Sequence, residues 1–277
     1  MVAIGGRRLR VVRAGPAAGR PTIVLEHGAF GCASDWAVVQ DRLAARGLGS
    51  IAYDRAGLGL SDPGPTPRDG RAIVSDLAAL LRELDEDRPV VLVGHSMGGL
   101  MVRLFALTFP DRVLGVVLVD AVAPEVMRNA GLARAVRAYG RGMRLVGRGA
   151  RLGLMRVVAA VTGNMIGLEG PHARDKRRIY GSAPHAQWAA EEVTRWPITS
   201  EQAGAAEFPT ALPIAVVTAG GEHRAPWLKE MQSLPALASR EGYIEHVTGA
   251  GHASLLGRRF ADPVVRGVEH VLAAVRL

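Results

Sequence analysis

Short apolar runs rich in Val and Ile alternate along the chain with longer amphipathic segments, and this alternation is what most limits the possible fold. The runs are apolar on both faces, as strands of a parallel sheet covered on two sides must be. Strand–helix alternation of this kind predicts an α/β fold with a doubly wound, mostly parallel sheet. The predicted strands are Thr22–Glu26, Ser50–Tyr53, Pro89–Val93, Leu114–Val119, Pro213–Thr218 and Tyr243–Val247. The predicted helices are Trp36–Arg46, Ala72–Leu84, Met97–Phe109, Pro226–Arg240 and Pro263–Val275.

Two regions depart from this alternation. At the start of the chain, the runs Val2–Ile4 and Arg8–Arg13 flank a Gly-Gly pair, which predicts a β-hairpin. Between residues 121 and 208 no strand-like run occurs, and the sequence is helical in pattern, basic and interrupted by glycine. We therefore expect a core domain made of residues 1–121 and 208–277, with residues 122–207 inserted as a helical lid.

The letters GHSMG at 94–98 follow a predicted strand and precede a predicted helix. A serine on such a turn sits in a strained conformation with its hydroxyl exposed, and the flanking glycines leave room for the turn to close. The N-terminus of the following helix points N–H groups at developing negative charge. The pattern therefore predicts that Ser96 is a nucleophile.

A serine hydroxyl needs a base and an oxyanion hole to act as a nucleophile. His252 follows the last predicted strand, whereas the other histidines lie in strands, in helices, in the lid or beside other motifs. The predicted strand Thr22–Glu26 leads into a His-Gly loop that can supply a backbone N–H from Ala29. We expect His252 to be the base, and the N–H groups of Ala29 and Met97 to form the oxyanion hole.

With these motifs the chain resembles the α/β-hydrolase superfamily, in its esterase-type branch, over nearly its whole length. The resemblance rests on His27-Gly28, the run from Tyr53 to Asp62, the run from Gly94 to Gly99, Leu118–Asp120 and Gly251-His252. It implies an α/β-hydrolase fold and a serine hydrolase that cleaves small-molecule carboxylic esters through an acyl-enzyme, without a cofactor or a metal. The same apparatus serves thioesterases, lactonases, carbon–carbon bond hydrolases and perhydrolases. A ligand-binding or signalling protein with a vestigial triad is the alternative from another class.

The acid that orients the histidine has two candidates. The resemblance places it either after the seventh strand, where Glu222 lies in a Gly-rich loop, or after the sixth, where Asp120 ends a Val-rich run. A short Asp side chain on a strand end is held more rigidly than a Glu side chain in such a loop. We favour Asp120, with Glu222 as the alternative.

The formal net charge of +8 is not spread over the chain. Residues 121–180 hold twelve Lys or Arg against three acidic residues, so the rest of the chain is close to neutral. Three interpretations remain open: a solvated helix face, contact with an anionic membrane or lipid, and recognition of an acidic group on the substrate. Nucleic-acid binding is not expected, because no aromatic side chains interleave the basic ones. The arginines concerned recur at helical spacing and are Arg134, Arg137, Arg141, Arg144, Arg148 and Arg151.

Three further expectations concern the chain as a whole. Glycines interrupt the arginine-rich stretch, and each costs about 1 kcal/mol in a helix relative to alanine, so we expect two short helices joined by a hinge. Cys32 is the single cysteine, which excludes an intramolecular disulfide. The chain has neither the apolar run of a signal peptide nor a run long enough to span a bilayer, so we expect a cytoplasmic protein. Nothing in the sequence predicts the oligomeric state.

Overall fold

The computed structural model describes residues 1–16, 20–150, 153, 155, 159–160, 163–221, 223 and 225–275. Most strands of these residues form one seven-stranded sheet, and the first two form a separate ribbon. The strands are β1 (Val2–Ile4), β2 (Arg7–Leu9), β3 (Val11–Ala14), β4 (Ile23–Glu26), β5 (Ser50–Tyr53), β6 (Val90–His95), β7 (Val113–Val119), β8 (Ile214–Ala219) and β9 (Gly242–Val247).

The large sheet has the order β3-β5-β4-β6-β7-β8-β9. All neighbours pair in parallel except β3, which runs antiparallel to β5 at one edge. After the edge strand β3, the chain enters the parallel part of the sheet near its centre at β4, steps to β5, then crosses to β6 and continues outward to β9. The predicted mostly parallel α/β sheet is confirmed.

The predicted N-terminal hairpin is only half right. β1 and β2 pair antiparallel around the Gly-Gly turn, with Val2 opposite Leu9. The second arm does not continue to Arg13, because β2 ends at Leu9 and a separate strand, β3, begins at Val11. The Arg10 N–H donates to the Ser61 hydroxyl at 2.9 Å, and its carbonyl accepts the Asp54 N–H at 3.0 Å. These contacts join Arg10 to the segment after β5, and β3 pairs with β5 in the large sheet.

Helices cover both faces of the sheet, as parallel strands require. The helices in the described residues are α1 (Ala37–Ala45), α2 (Gly70–Glu83), α3 (Gly98–Thr108), α4 (Ala130–Gly149), α5 (Gly170–Tyr180), α6 (Ala183–Thr194), α7 (Trp196–Ala203), α8 (Pro226–Ala238) and α9 (Asp262–Ala274). None of these helices is both long enough and apolar enough to cross a lipid bilayer.

The alternation of side chains along β6 shows how the core is divided. Val90 and Leu92 belong to the cluster that includes residues of α2 and α3. Val91 and Val93 belong to the cluster on the other face, with residues of α1 and α9. Both faces of the strand that leads to Ser96 are therefore buried.

From Arg134 to Arg148 the arginine-rich stretch forms one continuous helix, α4, so the prediction of two short helices with a hinge is wrong for these residues, whereas Arg151 lies outside the described residues. Two of its glycines face α6 at close range. A Cβ on Gly147 would lie 3.0 Å from the Cβ of Ala190, and one on Gly140 would lie 3.4 Å from the carbonyl of Val193. Close packing against α6 offsets the helical cost of these glycines. The lid boundaries at 122 and 207 stay predictions.

Buried ion pairs join these helices to the core. Glu192 on α6 pairs with Arg55, which follows β5, at 2.8 Å, and both side chains are almost fully buried. Lys176 on α5 pairs with Asp35, in the loop after β4, at 2.7 Å. Buried charges need such partners because an isolated charge loses its hydration. Helices α5 and α6 are therefore fixed against the loops that follow β4 and β5.

A buried histidine on α6 makes a third link. The N–H of Gly59 donates to Nδ1 of His185 at 3.0 Å, so Nε2 carries the ring proton and donates to the carbonyl of Phe30 at 3.2 Å. Burial lowers the pKa of His185 to about 3. The imidazole is therefore neutral near pH 7 and acts as a fixed bridge between two core loops.

This histidine makes a prediction about stability and pH. In the unfolded chain His185 has an ordinary pKa near 6.5, so between about pH 3 and pH 6.5 the unfolded state binds the extra proton. Its contribution to stability is full above that range and is lost as the pH falls through it. In His185→Gln, the free energy of unfolding between pH 4.5 and 6 should change with pH by about 1.4 kcal/mol per unit less than in the wild type.

Chemical denaturation at a series of pH values measures this slope. The matched control is His172→Gln, which changes an exposed histidine on α5 and is expected to keep the wild-type slope. The absolute stability of His185→Gln does not enter the comparison, because the readout is the slope. Equal slopes for His185→Gln and the wild type would contradict the assignment of a buried neutral imidazole.

Candidate active site

Ser96 lies on the turn between β6 and α3 in a left-handed backbone conformation, with φ at +54°. Such a conformation costs a non-glycine residue about 1–3 kcal/mol and persists only when its surroundings enforce it. The N–H of Ser96 donates to Val119 at 3.0 Å, and its carbonyl accepts the N–H groups of Gly99 at 3.0 Å and Val122 at 2.9 Å. These bonds hold the strained turn in place.

The two glycines of the GHSMG letters are explained by close backbone contacts. A Cβ on Gly94 would lie 2.7 Å from the carbonyl oxygen of Gly98. A Cβ on Gly98 would lie 2.5 Å from the carbonyl oxygen of Glu26 at the end of β4. No side chain fits at either position, so the serine is presented on a turn that only this pattern allows.

Asp120 follows β7 directly and is joined to His252. Its Oδ2 accepts the Nδ1–H of His252 at 2.6 Å. Its Oδ1 accepts the backbone N–H of Ala219 at 3.2 Å and the amide of Gln232 on α8 at 3.4 Å. Burial raises the pKa of Asp120, but the hydrogen bond and charge of His252, together with the Ala219 N–H, bring this pKa below its ordinary value. The carboxylate is therefore ionised at neutral pH.

His252 lies in the loop after β9, and its side chain is 54% exposed. The ring of His95, the residue before Ser96, lies beside it with the two centroids 4.6 Å apart. The Nε2–H of His95 donates to the carbonyl of His252 at 3.0 Å, and burial lowers the pKa of His95 to about 3. A neutral His95 thus fixes the loop that carries His252 next to the serine turn.

Of the three residues predicted to form the triad, all within the described part of the chain, two are in direct contact and Ser96 is not hydrogen-bonded to them. Asp120 and His252 are hydrogen-bonded, and His252 contacts the residue next to Ser96. Within the part of the chain that the structure describes, no hydrogen bond joins the Ser96 hydroxyl to an imidazole nitrogen. The alternative acid, Glu222, lies outside the described residues. The arrangement is that of a base oriented by a carboxylate at the edge of a nucleophile turn.

The predicted oxyanion donors lie on the two backbone segments that flank the serine. Met97 immediately precedes α3, and Ala29 lies in the loop after β4. Neither backbone N–H has an acceptor among the residues described. A Cβ on the neighbouring Gly28 would lie 3.0 Å from the Cβ of Ser96, so this loop passes directly over the serine. Both N–H groups are thus free to bind a developing oxyanion.

Arg55 fixes the orientation of the Ala29 donor. Its Nη2 donates to the carbonyl of Gly28 at 3.0 Å, and its Nη1 donates to the carbonyl of His27 at 2.6 Å. In a trans peptide the carbonyl and the following N–H point in opposite directions. By holding the Gly28 carbonyl, Arg55 therefore directs the Ala29 N–H away from itself.

Sequence reasoning missed Arg55, Gln232 and the bridging role of His95. Arg55 lies in the run from Tyr53 to Asp62, on which the family resemblance partly rests. Its partner Glu192 is far away in the sequence and belongs to no motif. Gln232 is a buried polar residue on α8, where the pattern predicts only a helix. His95 lies inside the serine motif, so its position was noticed, although its contact with the His252 loop depends on the fold.

No group of three or more His, Cys, Asp or Glu side chains able to hold a metal ion occurs among the residues that the structure describes. The polar groups of the site described above are the Ser96 hydroxyl, the His252 imidazole, the Asp120 carboxylate and the backbone N–H groups of Ala29 and Met97.

Comparisons with known proteins give relatives over part of the chain and structural neighbours over nearly all of it. A non-heme chloroperoxidase from Streptomyces lividans is 40% identical over 116 residues, which cover 42% of this chain and 41% of that protein. The chain thus spans about two fifths of the length of this curated relative. An esterase from Thermogutta terrifontis superposes with a TM-score of 0.70 at 21% identity, covering 98% of both chains. The enol-lactonase of Burkholderia xenovorans LB400 superposes with a TM-score of 0.69 at 19% identity, also covering 98% of both.

At these identities the structural neighbours establish the fold alone. The family assignment rests on a sequence model of the alpha/beta hydrolase fold, which matches residues 21–166. That range exceeds half of the chain and runs from β4 through the serine turn and Asp120 into the inserted helices. The order of strands, the strained serine turn and this match agree, and the chain belongs to the alpha/beta hydrolase fold family.

Proposed function

We propose that the protein is a serine hydrolase that cleaves carboxylic esters through an acyl-enzyme. The observation that carries this proposal is the 2.6 Å hydrogen bond from His252 to Asp120, formed beside the strained turn that presents Ser96. An imidazole held in this way has Nε2 free to accept a proton, which is the requirement for activating a serine hydroxyl. The esterase among the structural neighbours is consistent with this reaction class.

In the first half-reaction His252 Nε2 takes the proton of Ser96 while the serine oxygen attacks the ester carbonyl carbon. The carbonyl oxygen becomes an oxyanion and accepts hydrogen bonds from the N–H groups of Ala29 and Met97. Each such donor typically stabilises the transition state by about 3 kcal/mol. Asp120 keeps Nδ1 protonated and stabilises the imidazolium that forms.

The first half-reaction ends when the alcohol leaves, and the second then returns the enzyme to its starting state. His252 gives its proton to the leaving alcohol as the C–O bond breaks, which leaves the acyl group on Ser96. Water then attacks the acyl carbon while His252 accepts one of its protons, and that proton returns to the serine oxygen as the carboxylic acid leaves. Every step uses groups of this chain and water, so we expect no cofactor.

A panel of p-nitrophenyl esters with increasing acyl length tests the proposal. We expect turnover of at least one ester, and a fall in kcat/KM of about 10⁴-fold or more in Ser96→Ala, because the nucleophile is lost. Ser182→Ala, which removes a serine hydroxyl on the turn before α6, is the control and is expected to keep wild-type activity. Full activity in Ser96→Ala, or no turnover of any ester by the wild type, would contradict the proposal.

The two candidate acids are separated by a pair of isosteric amide variants. Asp120→Asn should lower kcat by about 10³–10⁴-fold, because an amide neither stabilises the imidazolium nor enforces the tautomer with a proton on Nδ1. Glu222→Gln should leave kcat within about threefold of the wild type, since Asp120 already accepts the hydrogen bond from Nδ1 of His252. Both variants are checked for folding by circular dichroism before their kinetics are measured. A collapse of kcat in Glu222→Gln with activity kept in Asp120→Asn would show that Glu222 is the acid.

The chloroperoxidase relative favours a second candidate, perhydrolysis. Here hydrogen peroxide replaces water as the attacking group on the acyl-enzyme, and its proton passes through His252 to the serine oxygen while a peracid leaves. The discriminating measurement is peracid formation from an ester in the presence of peroxide, compared with acid formation in water. Peracid formation that exceeds hydrolysis at low peroxide concentration would favour this second activity over ester hydrolysis.

A further inference from the structure

One flank of α4 carries five arginines in a single row, which we call the arginine stripe. At 100° per residue, the five positions fall within an arc of about 80° on the helix. All five side chains are exposed, and none belongs to an ion pair found among the described residues. The helix contains no acidic residue. The members of the stripe are Arg134, Arg137, Arg141, Arg144 and Arg148.

Next to the arginine stripe lies an exposed apolar strip on the same helix. Leu145 is 66% exposed, Tyr139 is 44% exposed and Val146 is 37% exposed. The positions between them on the helix surface hold only alanine and glycine. The opposite side of α4 is buried against α6 through Gly140 and Gly147. Viewed down the helix, Leu145 lies near the middle of the solvent-facing arc, with the stripe along one edge of that arc.

This combination does not fit a plain solvated helix. A helix that only faces water is polar around its exposed side and usually mixes charges of both signs. Here one sign of charge stands beside large apolar side chains that stay largely exposed, Leu145 most of all, although Tyr139 makes an edge contact with Trp196. Exposed apolar patches rimmed by charge mark surfaces that bind something.

The arginine stripe fits an extended anionic surface better than it fits an acidic small molecule. Arg144 and Arg148 border a groove of about 470 Å³ between α4 and α6, but Glu191 also lines that groove and pairs with Arg195 at 3.1 Å. A carboxylate in the groove disfavours an anionic ligand there. The other arginines of the stripe lie along the open side of the helix, where only a broad partner reaches them together.

We propose that α4 is a docking surface for an anionic lipid membrane. The arginine stripe faces lipid phosphates, and the apolar strip around Leu145 enters the boundary between headgroups and acyl chains. Helices of this kind, with basic residues on one side and large apolar residues on the other, lie in the plane of the membrane interface. This docking does not depend on ester cleavage, since it uses none of the residues of the site described above.

Binding of this kind has a defined strength and salt dependence. Each arginine close to an anionic surface contributes about 1 kcal/mol, which is about fivefold in the partition coefficient. The attraction between exposed charges falls off within about 10 Å at 0.1 M salt and within about 3 Å at 1 M. Docking through the stripe should therefore be strong at low salt and mostly lost at high salt.

Vesicle co-sedimentation with the full chain tests the proposal. The vesicles are phosphatidylcholine alone, or an equal mixture of phosphatidylcholine and phosphatidylglycerol. The wild type should sediment with the anionic vesicles at low salt and remain in solution with the neutral ones. The triple variant Arg137→Gln/Arg141→Gln/Arg144→Gln should partition about 100-fold less onto anionic vesicles.

Two further variants separate the contributions of charge position and of apolar contact. Arg71→Gln/Arg82→Gln/Arg240→Gln removes the same charge from exposed arginines elsewhere, and it should bind within about fivefold of the wild type. Leu145→Ser should bind anionic vesicles about tenfold less than the wild type, because it no longer moves a large apolar side chain out of water on docking. Turnover of a water-soluble ester, measured in parallel, should be unchanged in all three variants.

Several results would overturn the proposal. These are equal binding to neutral and anionic vesicles, no binding to either at low salt, and equal losses in the stripe variant and its charge-matched control. Sedimentation velocity without lipid tests whether α4 binds a second copy of the chain instead. If the wild type dimerises, Leu145→Ser abolishes the dimer and vesicle binding is unaffected, then α4 is an interface between copies and the membrane proposal is wrong.

Discussion

The candidate site and the packing of α6 depend on the same interaction, the burial of the Arg55 guanidinium between two carboxylates. Glu26 at the end of β4 and Glu192 on α6 each contact this group, and all three side chains are almost fully buried. Removing one partner of such a cluster costs about 3–5 kcal/mol, because it leaves an uncompensated buried charge. The remaining donors of Arg55 hold the carbonyls of the loop that bears Ala29. One cluster therefore fixes α6 on the core and sets the direction of the Ala29 N–H.

The rest of the site follows from the order of three neighbouring strands. Ser96 and Asp120 directly follow β6 and β7, and both adopt positive φ, at +54° and +40°. Their turns are hydrogen-bonded to each other and to the next strand, through Ser96 to Val119, Val122 to Ser96, and Asp120 to Val217. Strain at Ser96 and strain at Asp120 are thus supported by the same parallel register. The separation between the serine turn and the carboxylate is a property of the sheet, and only the histidine comes from a loop.

What could be predicted from the sequence was local. The strands and the serine turn are encoded by residues next to one another, so their pattern is visible in a short window, and Asp120 was favoured because it ends such a run. The pairing of Arg55 with Glu192 was not visible, because these residues meet only when α6 packs on the core. The hinge predicted in α4 was wrong for the same reason: Gly147 weakens an isolated helix, but in the fold it allows a close approach of α6. Local propensity therefore predicted the strands and helices. Where it disagreed with tertiary packing, as in α4, the packing determined the structure.

The proposed ester hydrolysis requires Ser96 as the nucleophile and His252 as the group that activates it. The most direct measurement is the mass of the intact protein after treatment with a fluorophosphonate, followed by peptide mapping of the modified residue. We expect one covalent adduct, located on Ser96, that forms much more slowly in His252→Ala and is absent in Ser96→Ala. An adduct on another residue, or labelling of Ser96 at an unchanged rate in His252→Ala, would contradict this expectation.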